Sequence, residues 1–401
     1  MTSHIVILGA GQAGLQLADS LRREGHNGPI TLIGEETRPP YQRPPLSKAF
    51  LLDQLEEDRL PLRPYSFFEQ RNIITRFGTR AVAIDRASKT VELDTGETLA
   101  YDQLALCLGA DVRIPPIAGA DLPHVLALRT LDDSLQIKAA LAKAASVAVI
   151  GGGFIGLEVA ASARKTGKDV TIIEAVDRVM KRAVSEPVSR FFEDLHRSHG
   201  STLLLDTTTA AITPEGVSLK DGRRVPADLV VMGTGVSPCH ELALTAGLRC
   251  ENGILVDEFT RTSDPDIVAM GDCAAHPNHL TGQVLRLESV QNAIDQAKVA
   301  AKTLTGKLES YTSVPWFWSD QFDIKLQMAG LSMDTDMAVT RGDPGTRHFS
   351  IFYFKDGVLM AVDSINAPAD HMAARRILAQ DHRSLTPQEA ADPAFDLKLA
   401  F

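Results

Sequence analysis

Two short stretches, "GAGQAG" at residues 9–14 and "GGGFIG" at residues 151–156, hold glycine at their first, third and sixth positions. Residues of that type at that spacing suit the binding of a dinucleotide pyrophosphate. Gly9 and Gly151 permit a tight turn, Gly11 and Gly153 let the backbone approach the phosphates, and Gly14 and Gly156 let a helix pack against a strand. The N–H groups opening that helix then face the anion. Glu35 follows Gly14 by 21 residues and Glu174 follows Gly156 by 18, near the spacing of an acid that binds ribose hydroxyls. Glu158 is the odd member. A carboxylate just past the last glycine is either a surface helix residue or a group facing the nicotinamide end rather than the phosphates.

The elements that must position these glycines are legible on both sides of each turn. Residues 4–35 and 146–174 each read as an apolar strand, the glycine turn, an apolar-faced helix, a glycine-containing break and a second apolar strand ending in glutamate. That is a βαβ unit. Two of them predict two dinucleotide sites, naturally one for a flavin and one for a nicotinamide. Residues 81–110 and 207–235 alternate like strands with turn signals between them. "DIVAMGDCA" (266–274) reads as a strand leading to Asp272, and residues 288–306 read as a helix ending at Gly306. Beyond about residue 309 the texture changes. Trp316 and Trp318 appear, two alternating strands meet at Asp356-Gly357 as in a hairpin, and a helix is expected near residues 369–380.

Composition narrows the function. A net charge of −10 over 401 residues argues against non-specific nucleic-acid binding. Cys107, Cys239, Cys250 and Cys273 form no C-x-x-C pair and no metal-ligand spacing, which predicts a reduced, cytoplasmic protein without a metal of its own. No apolar run approaches the roughly 20 residues of a membrane span, and "MTSHIVILGAG" reads as a strand rather than a signal peptide.

Several stretches taken together, "GAGQAG", "RPPLSK" (43–48), "GGGFIGLEVA", "GTGVSP" (233–238), "GDCA" (271–274), "RLESVQNAIDQA" (286–297) and "PWFWSDQ" (315–321), resemble the FAD-dependent NADH:ferredoxin reductases of oxygenase systems. The match runs along nearly the whole chain. It implies an α/β, glutathione-reductase-like flavoprotein with two dinucleotide-binding domains and a C-terminal α+β domain. The FAD domain would comprise residues 1–110 and 236–308, the NAD domain 111–235 and the C-terminal domain 309–401. The resemblance assigns Gly9, Gly11, Gly14 and Glu35 to the FAD adenosine and pyrophosphate. Arg43, Lys48 and Arg129 would lie along the flavin or phosphates, Asp272 on the ribityl chain, and the helix start at Val290 by the flavin pyrimidine. Gly152, Gly153, Ile155, Glu158, Glu174 and Gly235 would line the nicotinamide nucleotide. Cys107 and Leu108 depart from the Ala-Thr-Gly that relatives usually show there.

What such a resemblance implies is electron transfer from NADH through FAD to a [2Fe-2S] ferredoxin, by a monomer or weak dimer. Lys48 would approach flavin N5 and pair with Glu158, neutralising the carboxylate and fixing the geometry of hydride transfer. Trp316 and Trp318 read by themselves as core aromatics; the resemblance puts Trp318 near the flavin edge. Lys298 and Lys302, four apart on one helix, are candidates for docking an acidic ferredoxin, or simply a solvated face. Disulfide reductases and NADH peroxidases of this architecture need a cysteine that "PPYQRPPLSKAF" (39–50) lacks. A non-enzymatic NADH sensor is the remaining rival.

Overall fold

The computed structural model describes residues 3–401. The chain forms two compact units, one holding the residues up to Gln42, Leu60–Asp111 and Ser237–Phe317, the other Arg43–Arg59, Val112–Val236 and Trp318–Phe401.

The first unit is built on a parallel sheet with strand order Ile267–Ala269, Gln103–Leu106, Ile5–Leu8, Ile30–Gly34 and Ile73–Phe77. Its central strands Ile5–Leu8 and Ile30–Gly34 are buried at every position, because both faces of the sheet are covered. On one face lie the helices Gln12–Arg23 and Val290–Leu304. Ala293, Ala297, Ala300, Ala301 and Leu304 recur at helical spacing, and their small side chains share a core with Leu17, Ala18 and Leu21 of the first helix. The other face, through Val6, Leu8, Leu104 and Leu106, is covered by Val91, Leu93 and Ile254. The strand Ile267–Ala269, far along the chain, thus completes the sheet that the first glycine turn begins.

The second unit repeats the plan. Its parallel sheet runs Thr202–Leu204, Asp169–Ile173, Ser146–Ile150, Leu229–Met232 and Val125–Ala127. The antiparallel sheet of the C-terminal region runs Trp316–Gln321, Ile324–Gly330, Val358–Ile365, His348–Lys355 and Met337–Asp343. The hairpin turns at Asp356 and Gly357, both in the left-handed region with φ of 50° and 78°.

Sequence patterning sets residues 309–401 apart, yet residues 318–401 share one core with the second nucleotide sheet. The amphipathic helix Glu186–Ser198 explains it: Val188, Phe192 and Leu195 bury among Val149 and Ile172 from one sheet and Phe349 and Ile351 from the other. Residues 43–59 also belong to this unit. Leu51 enters that core, Ser134 Oγ donates to the Leu46 carbonyl at 2.8 Å, and Ser162 Oγ donates to the Ser47 carbonyl at 2.7 Å. Among the described residues no helix is long and apolar enough to cross a membrane.

Candidate functional site

The first glycine turn sits where strand Ile5–Leu8 hands over to helix Gln12–Arg23. Gly9 has φ +108°, and a Cβ there would come 2.1 Å from the Cys107 carbonyl oxygen. A Cβ on Gly14 would come 2.0 Å from the Gly9 carbonyl, so this glycine is required by packing. Gly11 differs. A Cβ there would meet nothing within 4 Å, and no side chain caps the helix it opens. Free N–H groups, open space and no acid in the first turn are what a pyrophosphate needs. Glu35 stands at the end of strand Ile30–Gly34 with its side chain 73% exposed, 4.0 Å from Arg80. Gly271 places the Asp272 turn against this helix start, since its Cβ would lie 3.3 Å from that of Ala13. Gln296 Oε1 accepts the Gly271 N–H at 2.8 Å. The helix starting at Val290 is capped by Ser289, whose hydroxyl accepts from the Asn292 N–H at 3.0 Å.

The second turn follows the same physics. Gly151 has φ +105°, and Gly156 and Gly233 pack too closely on the turn to carry a side chain. Gly153 opens helix Phe154–Lys165 without a side-chain cap or an acid in the first turn. Glu174 reaches back over this turn from the strand end. One carboxylate oxygen accepts from Gly152 N–H at 2.6 Å and the other from Val176 N–H at 3.1 Å. Met180 N–H bonds the Gly152 carbonyl at 2.9 Å, closing the loop after Glu174 onto the glycines. Ile155 lies 45% exposed in the first helical turn, and Gly235 is exposed beside Arg182.

Glu158 is no surface residue: it is 2% exposed. Lys48 Nζ lies 2.7 Å from its Oε2, which also accepts from Ser47 Oγ at 2.6 Å. Oε1 accepts from Ser319 Oγ at 2.6 Å. The pair expected from the resemblance therefore exists, and it is larger than expected. Ser47 and Ser319 were both inside the motifs "RPPLSK" and "PWFWSDQ" without a role; a buried carboxylate requires donors, and these supply them. The 3-10 turn Pro44–Ser47 aims Ser47 inward, and Lys48 Nζ also bonds the Pro44 carbonyl at 3.2 Å. On strand Trp316–Gln321 side chains alternate, so Trp318, half-buried, faces away from Ser319. Arg43 Nη1 donates to the Arg129 carbonyl at 2.7 Å, bringing those two arginines together.

A family model described as pyridine nucleotide-disulphide oxidoreductase matches residues 3–297, and one described as reductase C-terminal matches residues 316–401. The chain belongs to the pyridine nucleotide-disulphide oxidoreductase family. It is similar to the rhodocoxin reductase of Rhodococcus erythropolis, 49% identical with 99% of this chain and 94% of that protein covered. It is similar to the anthranilate 1,2-dioxygenase system ferredoxin–NAD(+) reductase component of Burkholderia cepacia, 41% identical with 98% of each covered. The crystal structure of the ferredoxin reductase for the CYP199A2 system from Rhodopseudomonas palustris superposes with a TM-score of 0.97, at 44% identity over 99% of both chains.

Two of the four cysteines of the present chain, Cys107 and Cys273, are buried and unsuited to thiol exchange. Burial holds the Cys107 thiol well above its usual range and pushes Cys273 up to about 12, so neither supplies a thiolate. Lys298 and Lys302 are each matched by an acid, Asp295 at 2.8 Å and Glu309, which offsets the charge expected of a docking face. The contrast between Gly11 and Gly14 gives a test of the FAD site. Gly11→Ala should leave the stability of the apoprotein within about 0.5 kcal/mol, because its Cβ enters open space, while FAD retention falls at least about tenfold, roughly 1.4 kcal/mol. Gly14→Ala should destabilise the apoprotein itself. Unfolding midpoints and FAD content of the two variants separate the cases.

Proposed function

We propose that this chain passes electrons from NADH through FAD to a [2Fe-2S] ferredoxin serving a cytochrome P450 or ring-hydroxylating oxygenase. The observation that carries the reading is the buried Lys48–Glu158 pair built onto the helix of a complete nucleotide turn, in a chain with a second such turn. When bound, FAD supplies the conversion between a two-electron hydride donor and a one-electron acceptor.

The protein's part is to bind and orient. Gly9, Gly11 and Gly14 let the backbone cradle the FAD pyrophosphate, with Glu35 toward the adenosine ribose. Asp272 takes the ribityl hydroxyls, and the helix start at Val290 offers its dipole to charge developing on the flavin. Arg43 and Arg129 would supply positive charge for the flavin or the phosphates, as the resemblance implies. Gly152, Gly153, Ile155, Glu174 and Gly235 hold the nicotinamide nucleotide. Lys48 and Glu158 work at the reacting end, where hydride transfer requires the reacting atoms within about 3–3.5 Å, and Trp318 shields it. The cytoplasm, where NADH is supplied, is the compartment this reading implies, with the chain as a monomer or weak dimer.

The test is steady-state turnover of the purified, FAD-loaded protein with NADH and several [2Fe-2S] ferredoxins, followed by cytochrome c reduction. Rapid reduction that depends on an added ferredoxin is expected. Slow flavin reduction with a long-lived charge-transfer complex, indifferent to every ferredoxin, would instead identify an NADH sensor.

A further inference from the structure

We propose that Ser319, Gln321 and His196 form a one-way hydrogen-bond chain that positions the Glu158 carboxylate for hydride transfer; this rests on the reading that Glu158 works at the nicotinamide end. All three side chains are fully buried. Ser319 Oγ lies 2.6 Å from Glu158 Oε1, Gln321 Nε2 lies 3.3 Å from Ser319 Oγ, and His196 Nε2 lies 2.9 Å from Gln321 Oε1.

The direction of every bond follows from the carboxylate. An ionised carboxylate only accepts, so Ser319 must donate to it, and the serine oxygen is left to accept. Gln321 therefore turns its NH2 toward Ser319 and its carbonyl toward His196. His196 must then carry its proton on Nε2. Burial lowers the His196 pKa to about 4, so the ring stays neutral and adds no charge of its own. Its Nδ1 bonds none of the described residues, so the chain of side chains ends at this ring. Phe322 meets the ring edge-on at 5.0 Å and fixes its plane.

Three donors aligned in one sense polarise each other toward Oε1, while Lys48 and Ser47 hold Oε2. Each oxygen is thus claimed from one side, and the carboxylate plane has one setting. Ser319, Gln321 and His196 touch no substrate in this scheme; they are positioning residues acting through Glu158.

A double-mutant cycle tests it. Ser319→Ala should lower the limiting rate of flavin reduction by NADH about tenfold, the expected effect of one hydrogen bond to a charged group. The NAD+ dissociation constant should stay within about twofold of the parent, and Ser319→Thr should restore the rate. Gln321→Met, which keeps the volume without the amide, should slow reduction in the same direction by a smaller factor. In a Glu158→Ala background, Ser319→Ala should change neither the rate nor the unfolding midpoint further. Unchanged rates in both single variants would overturn the network, as would equal losses in the two backgrounds or a parallel loss of NAD+ affinity. Failure of NADH to reduce the flavin of the parent protein would be a different result, overturning the functional reading and this network with it.

Discussion

Lys48→Ala should slow reduction of the flavin by NADH by one to two orders of magnitude and destabilise the protein more than Glu158→Ala does. The asymmetry follows from exposure. Lys48→Ala leaves a carboxylate that is 2% exposed with two serine hydroxyls and no cation. Glu158→Ala leaves an ammonium on a side chain 18% exposed, which keeps its bond to the Pro44 carbonyl and can turn toward water. Breaking a fully buried pair costs about 3–5 kcal/mol; discounting for the partial exposure of Lys48, about 2–3 kcal/mol is expected for Lys48→Ala and about 1 kcal/mol for Glu158→Ala. On the rate, either change removes a charge-assisted bond worth about 1.5–3 kcal/mol, a factor of roughly 10 to 150 if it acts only in the transition state. Glu158→Gln separates charge from shape, since an amide whose oxygen accepts from Ser319 sets its NH2 against Lys48. Stopped-flow reduction, with FAD content and unfolding midpoint recorded for each variant, checks the prediction. Wild-type reduction rates in both alanine variants would remove the pair from the mechanism.

The glycine turns were legible because their rules are local: the steric demands at Gly9, Gly14, Gly151 and Gly156 come from neighbours within a strand, a turn and a helix. The hairpin at Asp356-Gly357 was legible for the same reason. The Lys48–Glu158 pair was not local. Its partners lie 110 residues apart, and only the resemblance of whole motifs brought them together. Ser47, Ser319 and Gln321 stood inside those motifs without visible function, because a hydroxyl or amide declares its role only when the group it bonds is known. His196 had no signal at all; a histidine amid "FFEDLHRS" differs from any helix histidine only by what packs on it. Lys298 and Lys302 show the opposite case, a face that is legible with ion partners that are not. Helical spacing put them on one face, but Asp295, three residues back, and Glu309, beyond the helix end, accompany them. The grouping of residues 318–401 with the second nucleotide half depends on the shared apolar face of one helix, and that of residues 43–59 on Leu51 and two serine-to-carbonyl bonds, none of which a boundary signal in the sequence announces.

Discrimination between NADH and NADPH should rest on Glu174, and replacing it should narrow a preference of roughly 30- to 1,000-fold. The carboxylate is fixed in place before any nucleotide arrives, by the Gly152 and Val176 N–H groups. Held there, at the end of the second strand of the unit, it can accept hydrogen bonds from both adenosine ribose hydroxyls. A 2′-phosphate would lose that bonding and meet like charge, about 2–4 kcal/mol in a half-buried site, which gives the range above at about 1.4 kcal/mol per decade. Three nearby cations could reverse the sign if they were available to a phosphate. Arg178 is already committed, one Nη to the Val184 carbonyl at 2.8 Å and Ser189 Oγ at 2.7 Å, the other to the Lys181 carbonyl at 3.1 Å. Lys181 pairs with Asp177 at 2.8 Å. That leaves Arg182, exposed beside the Gly235 turn, as the cation best able to turn toward a phosphate. Glu174→Ala would also strand the two N–H groups, so part of its loss with NADH would be local disorder rather than lost ribose bonding. Glu174→Gln removes the charge, keeps an acceptor for one of them and sets its NH2 against the other, a smaller disturbance than truncation and so the better probe. In that variant kcat/KM should fall for NADH and rise for NADPH, and Arg182→Ala added to it should take the NADPH gain away. Equal use of the two nucleotides by the wild type, or a Glu174→Gln variant with undiminished preference, would move the determinant away from this strand end.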